Sequence, residues 1–453
     1  MIQTGFGSSD ITPRLGVQLA GYGPYRNRAA REIIAPLRAR AMVLTDRRRC
    51  AVVLSVELCG VPRELAARLQ AAVAKRIGCR PKEVMVSVTH THSSPSVGGM
   101  FGWGEADAMY VETLPARAAE AAVEAWQSRA ELAWRHAEVP CEGIAVNRET
   151  DAGFALAANF ADRMDPAWRP DHPEHTDPTV RVLAAWSGNR PVGMLHHFGC
   201  HPVVYGEKTA AIHGDFVGLA SAHVERTYPG SVAMFLPGAL GDINPKLNHR
   251  VPTESRRALH AIARQYGKAL RHGLKVGRHL EMDTFQSIRR DEVFARQAWS
   301  RGKIDQRIAE LEACFDTVGI SDHPHTGGEP PLQTLGMERA RLEGLRAVRS
   351  QFRGERAPNP PVCLHGLQLG PVAILGCGLE PYHRLQAPVL KGSPHVHTWI
   401  VGLVGGVGYA PDRAAHERAG YAGDFVPLIC GELPFRCVHH ELPRALISLA
   451  KAL

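Results

Sequence analysis

Two histidines flank a threonine in Val88-Thr89-His90-Thr91-His92-Ser93-Ser94-Pro95. Imidazoles so placed could ligate a metal ion or carry protons, since neutral imidazole is a common metal ligand and titrates near neutral pH. They follow Glu83-Val84-Met85-Val86-Ser87-Val88, a β-branched run that reads as a buried strand. Side chains alternate along a strand, so the spacing predicts that His90 and His92 project from one face. The chain then enters a Ser/Pro/Gly loop, and such strand ends are where α/β proteins place chemistry.

Further segments repeat the pattern of an apolar run followed by a polar cluster. They are His196-His197-Phe198-Gly199-Cys200-His201-Pro202, Ile212-His213-Gly214-Asp215, Gly241-Asp242-Ile243-Asn244-Pro245, Gly378-Leu379-Glu380-Pro381 and Gly408-Tyr409-Ala410-Pro411. A mononuclear zinc site takes three or four N, O or S ligands, and a hydrolytic one keeps a position open for water or substrate oxygen. Two histidines, a glutamate and a tyrosinate would fit. No spacing forms an H-E-x-x-H signature. Alone, Glu380 reads as a surface or capping residue and Tyr409 as a turn aromatic.

Together these segments carry a resemblance. Gly7-x-x-Asp10-Ile11-Thr12, Thr89-His90-Thr91-His92-Ser93, Asn147-Arg148, His201-Pro202, Gly214-Asp215-Phe216, Gly241-Asp242-x-x-Pro245, Glu380 and Tyr409-Ala410-Pro411 occur in the order of the neutral/alkaline ceramidases. The resemblance runs from about residue 4 to 425 and is weakest across 283–352. It implies one Zn²⁺ per chain, held by His90, His201, Glu380 and Tyr409. It assigns His92 to the reacting carbonyl, Tyr421 to holding the oxyanion, and Arg148 to the neighbourhood of the reacting group.

Two departures shape the expected chemistry. Asn244 stands where the family has a serine just before the proline. An amide cannot form an acyl-enzyme, although it can donate a hydrogen bond to an oxyanion. Direct attack by metal-activated water is therefore expected. The chain also stops about where the lipid-cleaving members' C-terminal β-sandwich domain would begin, so the expected substrate is smaller and more soluble than a long-chain ceramide. Asp215 and Asp242 could accept the free N–H of a ligand histidine, with helix N-capping as the alternative for Asp215. His213 could be an extra ligand, a general acid, a substrate contact or a structural histidine. His395-Val396-His397 would put two more rings on one face if extended.

The elements that must position these groups are legible in outline. Arg38–Thr45 and Cys50–Leu58 read as a hairpin, residues 62–77 as a helix with Leu65, Leu69, Val73 and Ile77 on one stripe, and 113–129 as a second helix. Val180–Trp186, Pro191–Phe198 and Val232–Leu236 read as strands, and Phe216–Thr227 and 254–275 as helices. The charged stretch from about 283 to 352, split by Gly327-Gly328-Glu329-Pro330-Pro331, reads as a helical excursion. It is a lid, the contact of a homo-oligomer, or a surface insertion. Strand-like runs return at 362–378 and 398–404, and a helix begins near 441. The expected fold class is α/β (α+β), with mixed sheet layers covered by helices in one large domain.

Bulk properties bound the function. The chain has 453 residues, 45% of them hydrophobic and 22% charged, as in a water-soluble globular protein. No apolar run reaches the roughly 18 residues that span a bilayer, and residues 1–5 carry no secretion signal, so a cytoplasmic protein without membrane partners is expected. Ten scattered cysteines form no C-x-x-C pair and read as core residues in a reducing compartment. The net charge of +8 comes from short basic runs without interleaved aromatics, which argues against nucleic acid and leaves an acidic small-molecule substrate open. The leading expectation is a zinc-dependent amidase. The alternatives are a zinc-dependent esterase or lactonase, and a non-catalytic metal- or ligand-binding homologue.

Overall fold

The computed structural model describes residues 1–24, 27–149, 172, 174–248, 250–318 and 330–453. The Gly327-Gly328-Glu329 split therefore lies outside the described residues. Three sheets dominate, giving the mixed α/β (α+β) architecture expected. The first joins Gln3–Asp10, Arg38–Thr45, Cys50–Val56 and Val84–Val88 in that order, with only the last pair parallel. The second runs Val232–Pro237, Arg190–Phe198, Thr179–Ser187, Ala133–Pro140, Arg278–Leu280. The third runs Phe285–Glu292, Val362–Leu369, Val372–Cys377, His397–Val401.

One face of each sheet contributes to a shared apolar centre. Phe6, Met42 and Val53 meet Trp134, Leu195 and Met234 from the second sheet and Phe285, Ile374 and Trp399 from the third. Helices back the other faces. Arg63–Ile77 and Ala108–Gln127 cover the first sheet, Asp215–Thr227 and Pro252–Val276 the second, and Val438–Ala452 the third. Both faces of most strands are thus buried, which explains why they read as continuous apolar runs. Among the described residues no helix is long and apolar enough to cross a membrane.

Two expectations change. Phe285–Glu292 is an edge strand, so the segment from about 283 to 352 is not helical throughout; its helices are Arg301–Val318 and Pro330–Ser350. The charged residues Arg289, Arg290, Asp291 and Glu292 masked the strand, because an edge strand tolerates polar side chains on its open flank. Second, the strand before the opening histidines stops at Val88. His90 has φ +68°, a left-handed backbone rarely adopted by a non-glycine residue. Strand alternation therefore does not bring His90 and His92 together.

Burial also sets the pH response. His196, His197, His213 and His365 are buried, and burial pushes each down to about 3 from an ordinary 6.5. Asp215 and Asp242, also buried, are pushed up to about 6 and about 7. Unfolded histidines bind protons below pH 6.5 while these four stay neutral, so their contribution is lost as pH falls through that value. The aspartates act oppositely, holding protons in the fold between pH 4 and their raised pKa and losing stability as pH rises. Four groups outweigh two, at about 1.4 kcal/mol per pH unit for each proton. Urea denaturation of chelator-treated protein should show stability dropping from pH 6.5 to 4.5; a flat or rising profile would contradict this.

Candidate metal centre

Four loop segments converge at one end of the sheets. Past Val88, Thr89 N–H donates to Val56 O at 2.9 Å and His90 N–H to Leu58 O at 2.8 Å, so the loop continues along the neighbouring chain. His90 Nδ1–H donates to Cys59 O, which turns Nε2 inward. His201 follows the strand Arg190–Phe198, and its Nδ1–H donates to Ile243 O at 3.0 Å. Glu380 pairs with Tyr409 in a two-residue parallel ladder, with Glu380 N–H on Gly408 O at 2.8 Å.

These constraints aim three buried ligand atoms at one point. Glu380 Oε2 lies 3.3 Å from His90 Nε2 and 3.1 Å from His201 Nε2. Neither Glu380 Oε2 nor His201 Nε2 has a hydrogen-bond partner among the described residues. Buried polar atoms left this way cost roughly 1–3 kcal/mol each, so the arrangement calls for a shared cation. Backbone carbonyls that fix the Nδ1 tautomer and leave Nε2 free are how proteins orient ligand histidines. His90, His201 and Glu380 thus fit a zinc ion as donors. Tyr409 stands across the ladder from Glu380, and Arg148 Nη2 donates to its Oη at 3.0 Å.

The electrostatics couple these groups to one another. Burial works against charge on His90, but the Glu380 carboxylate overcomes it and holds His90 well above its usual value. Burial pushes Glu380 up, but His90 and His201 outweigh it and hold Glu380 far below the carboxylate range. Burial, then Arg148, lowers His201 to about 4, leaving its lone pair available. Burial and Glu380 push Tyr409 well above 10, so its ionisation needs a nearby positive charge.

His92 Nε2 sits 3.4 Å from His90 Nε2, and its ring packs edge-on against Tyr22 with centroids 5.0 Å apart. Burial, together with His90, His201, Arg28 and Arg148, lowers its pKa well below 6.5, so the ring is neutral. Gly21 (φ +105°) lies over it, and a Cβ there would fall 2.3 Å from His92 Cγ. Gly21→Ala should therefore cost about 1–3 kcal/mol of stability from backbone strain. Displacing the His92 ring by an ångström should lower kcat by about 10²-fold. Urea denaturation and turnover assays read both effects.

Arg148 N–H donates to Asp242 O at 2.8 Å, and its side chain reaches Asn244 Oδ1 at 3.2 Å and Gly241 O at 2.6 Å besides Tyr409. The paired strands Ala145–Asn147 and Ile243–Pro245 set this spacing. Tyr421 packs edge-on against Tyr409 with centroids 5.8 Å apart. Thus His90, His92, His201, Glu380, Tyr409, Arg148, Asn244 and Tyr421 are linked in one contact network.

His213 is not in the cluster. Its Nδ1 accepts from Asp215 N–H at 3.0 Å, its backbone O accepts from Thr91 Oγ1, and its ring abuts Tyr205. It braces the 89–94 loop from behind. Asp215 and Asp242 do not bond the ligand histidines either. Asp215 accepts from Val204, Tyr205 and Phe216 N–H and does not cap its helix in the usual sense. Asp242 accepts from Asn147 Nδ2 and His383 N–H, both at 2.7 Å, clasping the Arg148 and Glu380 segments together. The carbonyls of Cys59 and Ile243 take the role expected of the aspartates. Sequence reasoning missed them because every residue carries a carbonyl.

A cavity opens on His90 and Glu380, lined largely by apolar groups including Pro95, Val97, Met100, Trp103, Leu403 and Val407. A polar pocket is lined by Asn147, Glu149, Asp242, Arg384, Asp412 and Arg418.

Residues 2–262 match the sequence model of the family described as "Neutral/alkaline non-lysosomal ceramidase, N-terminal". Neutral ceramidase of Mycobacterium tuberculosis (strain ATCC 25618 / H37Rv) is 27% identical over 282 residues, covering 56% of this chain and 42% of that protein. The chain thus spans less than half the length of this curated relative. The crystal structure of neutral ceramidase from Pseudomonas aeruginosa superposes with a TM-score of 0.73 at 17% identity, covering all of this chain and 74% of that one. A structure described as "Ceramidase complexed with C2" gives 0.72 at 16% identity, covering 100% and 75%. At these identities the two structures establish the fold.

Proposed function

This chain belongs to the neutral/alkaline non-lysosomal ceramidase family, and from that premise we propose that it is a zinc-dependent hydrolase cleaving the amide bond of a small N-acyl substrate. One observation carries the reading: His90 Nε2, His201 Nε2 and Glu380 Oε2 converge in a buried site, with both Nδ1 atoms tied to backbone carbonyls. Tyr409 completes the proposed donor set. A bound zinc ion would supply a Lewis acid and lower the pKa of water to about 7.

The chain's own residues do the rest. His92, beside His90, and Arg148, on Tyr409, offer donors to an oxygen gaining negative charge. Arg148 stays protonated because Tyr409, Tyr382 and Tyr421 outweigh its burial. Asn244 Oδ1 accepts from Arg148 Nη1, which leaves the Asn244 amide NH₂ as a further donor. Tyr421, packed on Tyr409, adds a phenol to the same side. Asn244 forms no acyl-enzyme, so turnover should show no burst of amine release.

The cavity's lining favours an apolar acyl group and departs from the acidic substrate that the net charge left open. Arg148, the cation beside the ligand cluster, is already committed to Tyr409, Asn244 and Gly241. Val407 lines both this cavity and a neighbouring one. Val407→Ala should join them and raise kcat/KM for longer acyl chains by about 10-fold, as each accommodated methylene is worth about 1 kcal/mol. An unchanged chain-length profile would place the acyl group elsewhere.

The deciding experiment assays metal-loaded and chelator-treated protein against N-acyl amides, esters and lactones. Chelator-sensitive amide cleavage restored by Zn²⁺ is expected. Ester or lactone turnover without amide turnover would make the protein an esterase or lactonase. Stoichiometric zinc with no turnover would make it a binding homologue.

A further inference from the structure

A second cluster of donor side chains shares no residue with this site and stands where the second and third sheets meet in the shared core. On the strand Ala133–Pro140, Trp134 enters the shared apolar centre while Ala137 and Val139 face the covering helices. His136 and Glu138 therefore project from the face that Trp134 uses, in a row running outward to solvent. On His397–Val401, Trp399 and Val401 enter the same centre, so His397 projects from that face as well. The two rows meet at their outer ends.

The contacts there have no apolar explanation. The His136 and His397 rings lie 4.0 Å apart between centroids. His136 is only 7% exposed, and its buried Nε2 has no hydrogen-bond partner among the described residues. His397 Nδ1 lies 3.9 Å from Glu138 Oε1, and one ligand atom from each of the three residues falls within 4.8 Å of the others. His395, the other ring of the His395-Val396-His397 motif, is occupied: its Nε2–H donates to Ala450 O at 2.9 Å.

We propose that His136, Glu138 and His397 form a second metal site, separate from the His90 centre, that takes a divalent borderline cation such as Zn²⁺ and pins the second sheet to the third. Two imidazoles and a carboxylate suit that class of ion. His136 is the fixed ligand, held in the strand interior. His397 and Glu138 are partly exposed and can swing inward to the roughly 2 Å that ligation requires. Burial, His397 and Arg181 lower His136 to about 4, so its lone pair is available at neutral pH. Arg181 Nε lies 3.7 Å from Glu138 Oε1 and competes for the carboxylate, but Arg181 keeps Asp177 at 2.8 Å when Glu138 turns to the ion.

The test uses ZnCl₂ alone with the full chain, in the Glu380→Gln background to disable the first site. Chelator-treated Glu380→Gln protein should bind one equivalent of zinc by equilibrium dialysis, and its Tm should rise by several degrees at saturation. Adding His397→Ala, a change at a partly exposed strand end, should abolish both. Adding Glu138→Gln instead should weaken binding at least about 10-fold. Zinc binding or a Tm rise that survives His397→Ala, or their absence from Glu380→Gln protein with wild-type circular dichroism, would overturn the proposal. None of these readouts depends on hydrolase activity.

Discussion

Glu380→Gln should abolish turnover and lower zinc affinity at the His90 centre by about 10³-fold or more, beyond the 10–100-fold typical of residues one step removed from a metal. Glutamine conserves volume, so the loss would be chemical. Glu380 Oε2 is the atom that both His90 Nε2 and His201 Nε2 face, and it brings the carboxylate charge to this set. Without it, the interaction that raises His90 against its burial is gone. Two neutral rings and a phenol held well above 10 by burial would then have to neutralise a dication. Metal analysis and amide turnover of the purified variant check this. Full zinc occupancy at the His90 centre together with wild-type turnover would sink the ligand assignment.

Arg148→Lys should lower kcat by about 10²–10³-fold, the usual cost of removing one preorganised oxyanion donor, while KM changes little. The planar guanidinium spans Tyr409 Oη, Asn244 Oδ1 and Gly241 O at once. An ammonium is a point donor on a flexible stem and cannot hold all three in that plane. Arg148→Ala should be as inactive and also less stable by about 1–3 kcal/mol, because buried acceptors lose their partner. Zinc content should stay stoichiometric in the lysine variant. Zinc loss in parallel with activity would mean that Arg148 acts through Tyr409 and not on the reacting oxygen. Wild-type kcat in either variant would remove Arg148 from the chemistry.

Much of this was legible along the chain. Apolar runs bounded by Gly, Pro and Ser located most strands of the three main sheets, because strands buried on both faces carry uninterrupted β-branched residues. The helix Arg63–Ile77 was visible from its stripe of Leu65, Leu69, Val73 and Ile77, all of which are buried. The strand Phe285–Glu292 was not, since its charges obey the needs of a sheet edge that only the fold reveals.

The sequence by itself determined the chemical inventory: two imidazoles around Thr91, a carboxylate at 380, phenols at 409 and 421, and an amide at 244 in place of a hydroxyl. These are properties of side-chain type, and the order of the motifs exposed the family. Only the tertiary structure decided who faces whom. His90 points at Glu380 because a left-handed backbone and the Cys59 carbonyl turn its ring, and strand alternation plays no part. The fold ties His213 Nδ1 to Asp215 N–H and packs its ring on Tyr205, while His136 and His397, 261 residues apart in sequence, were brought to one place by two sheets sharing a core. Direction and distance come from backbone carbonyls, φ angles and sheet packing, and those belong to no single residue's identity.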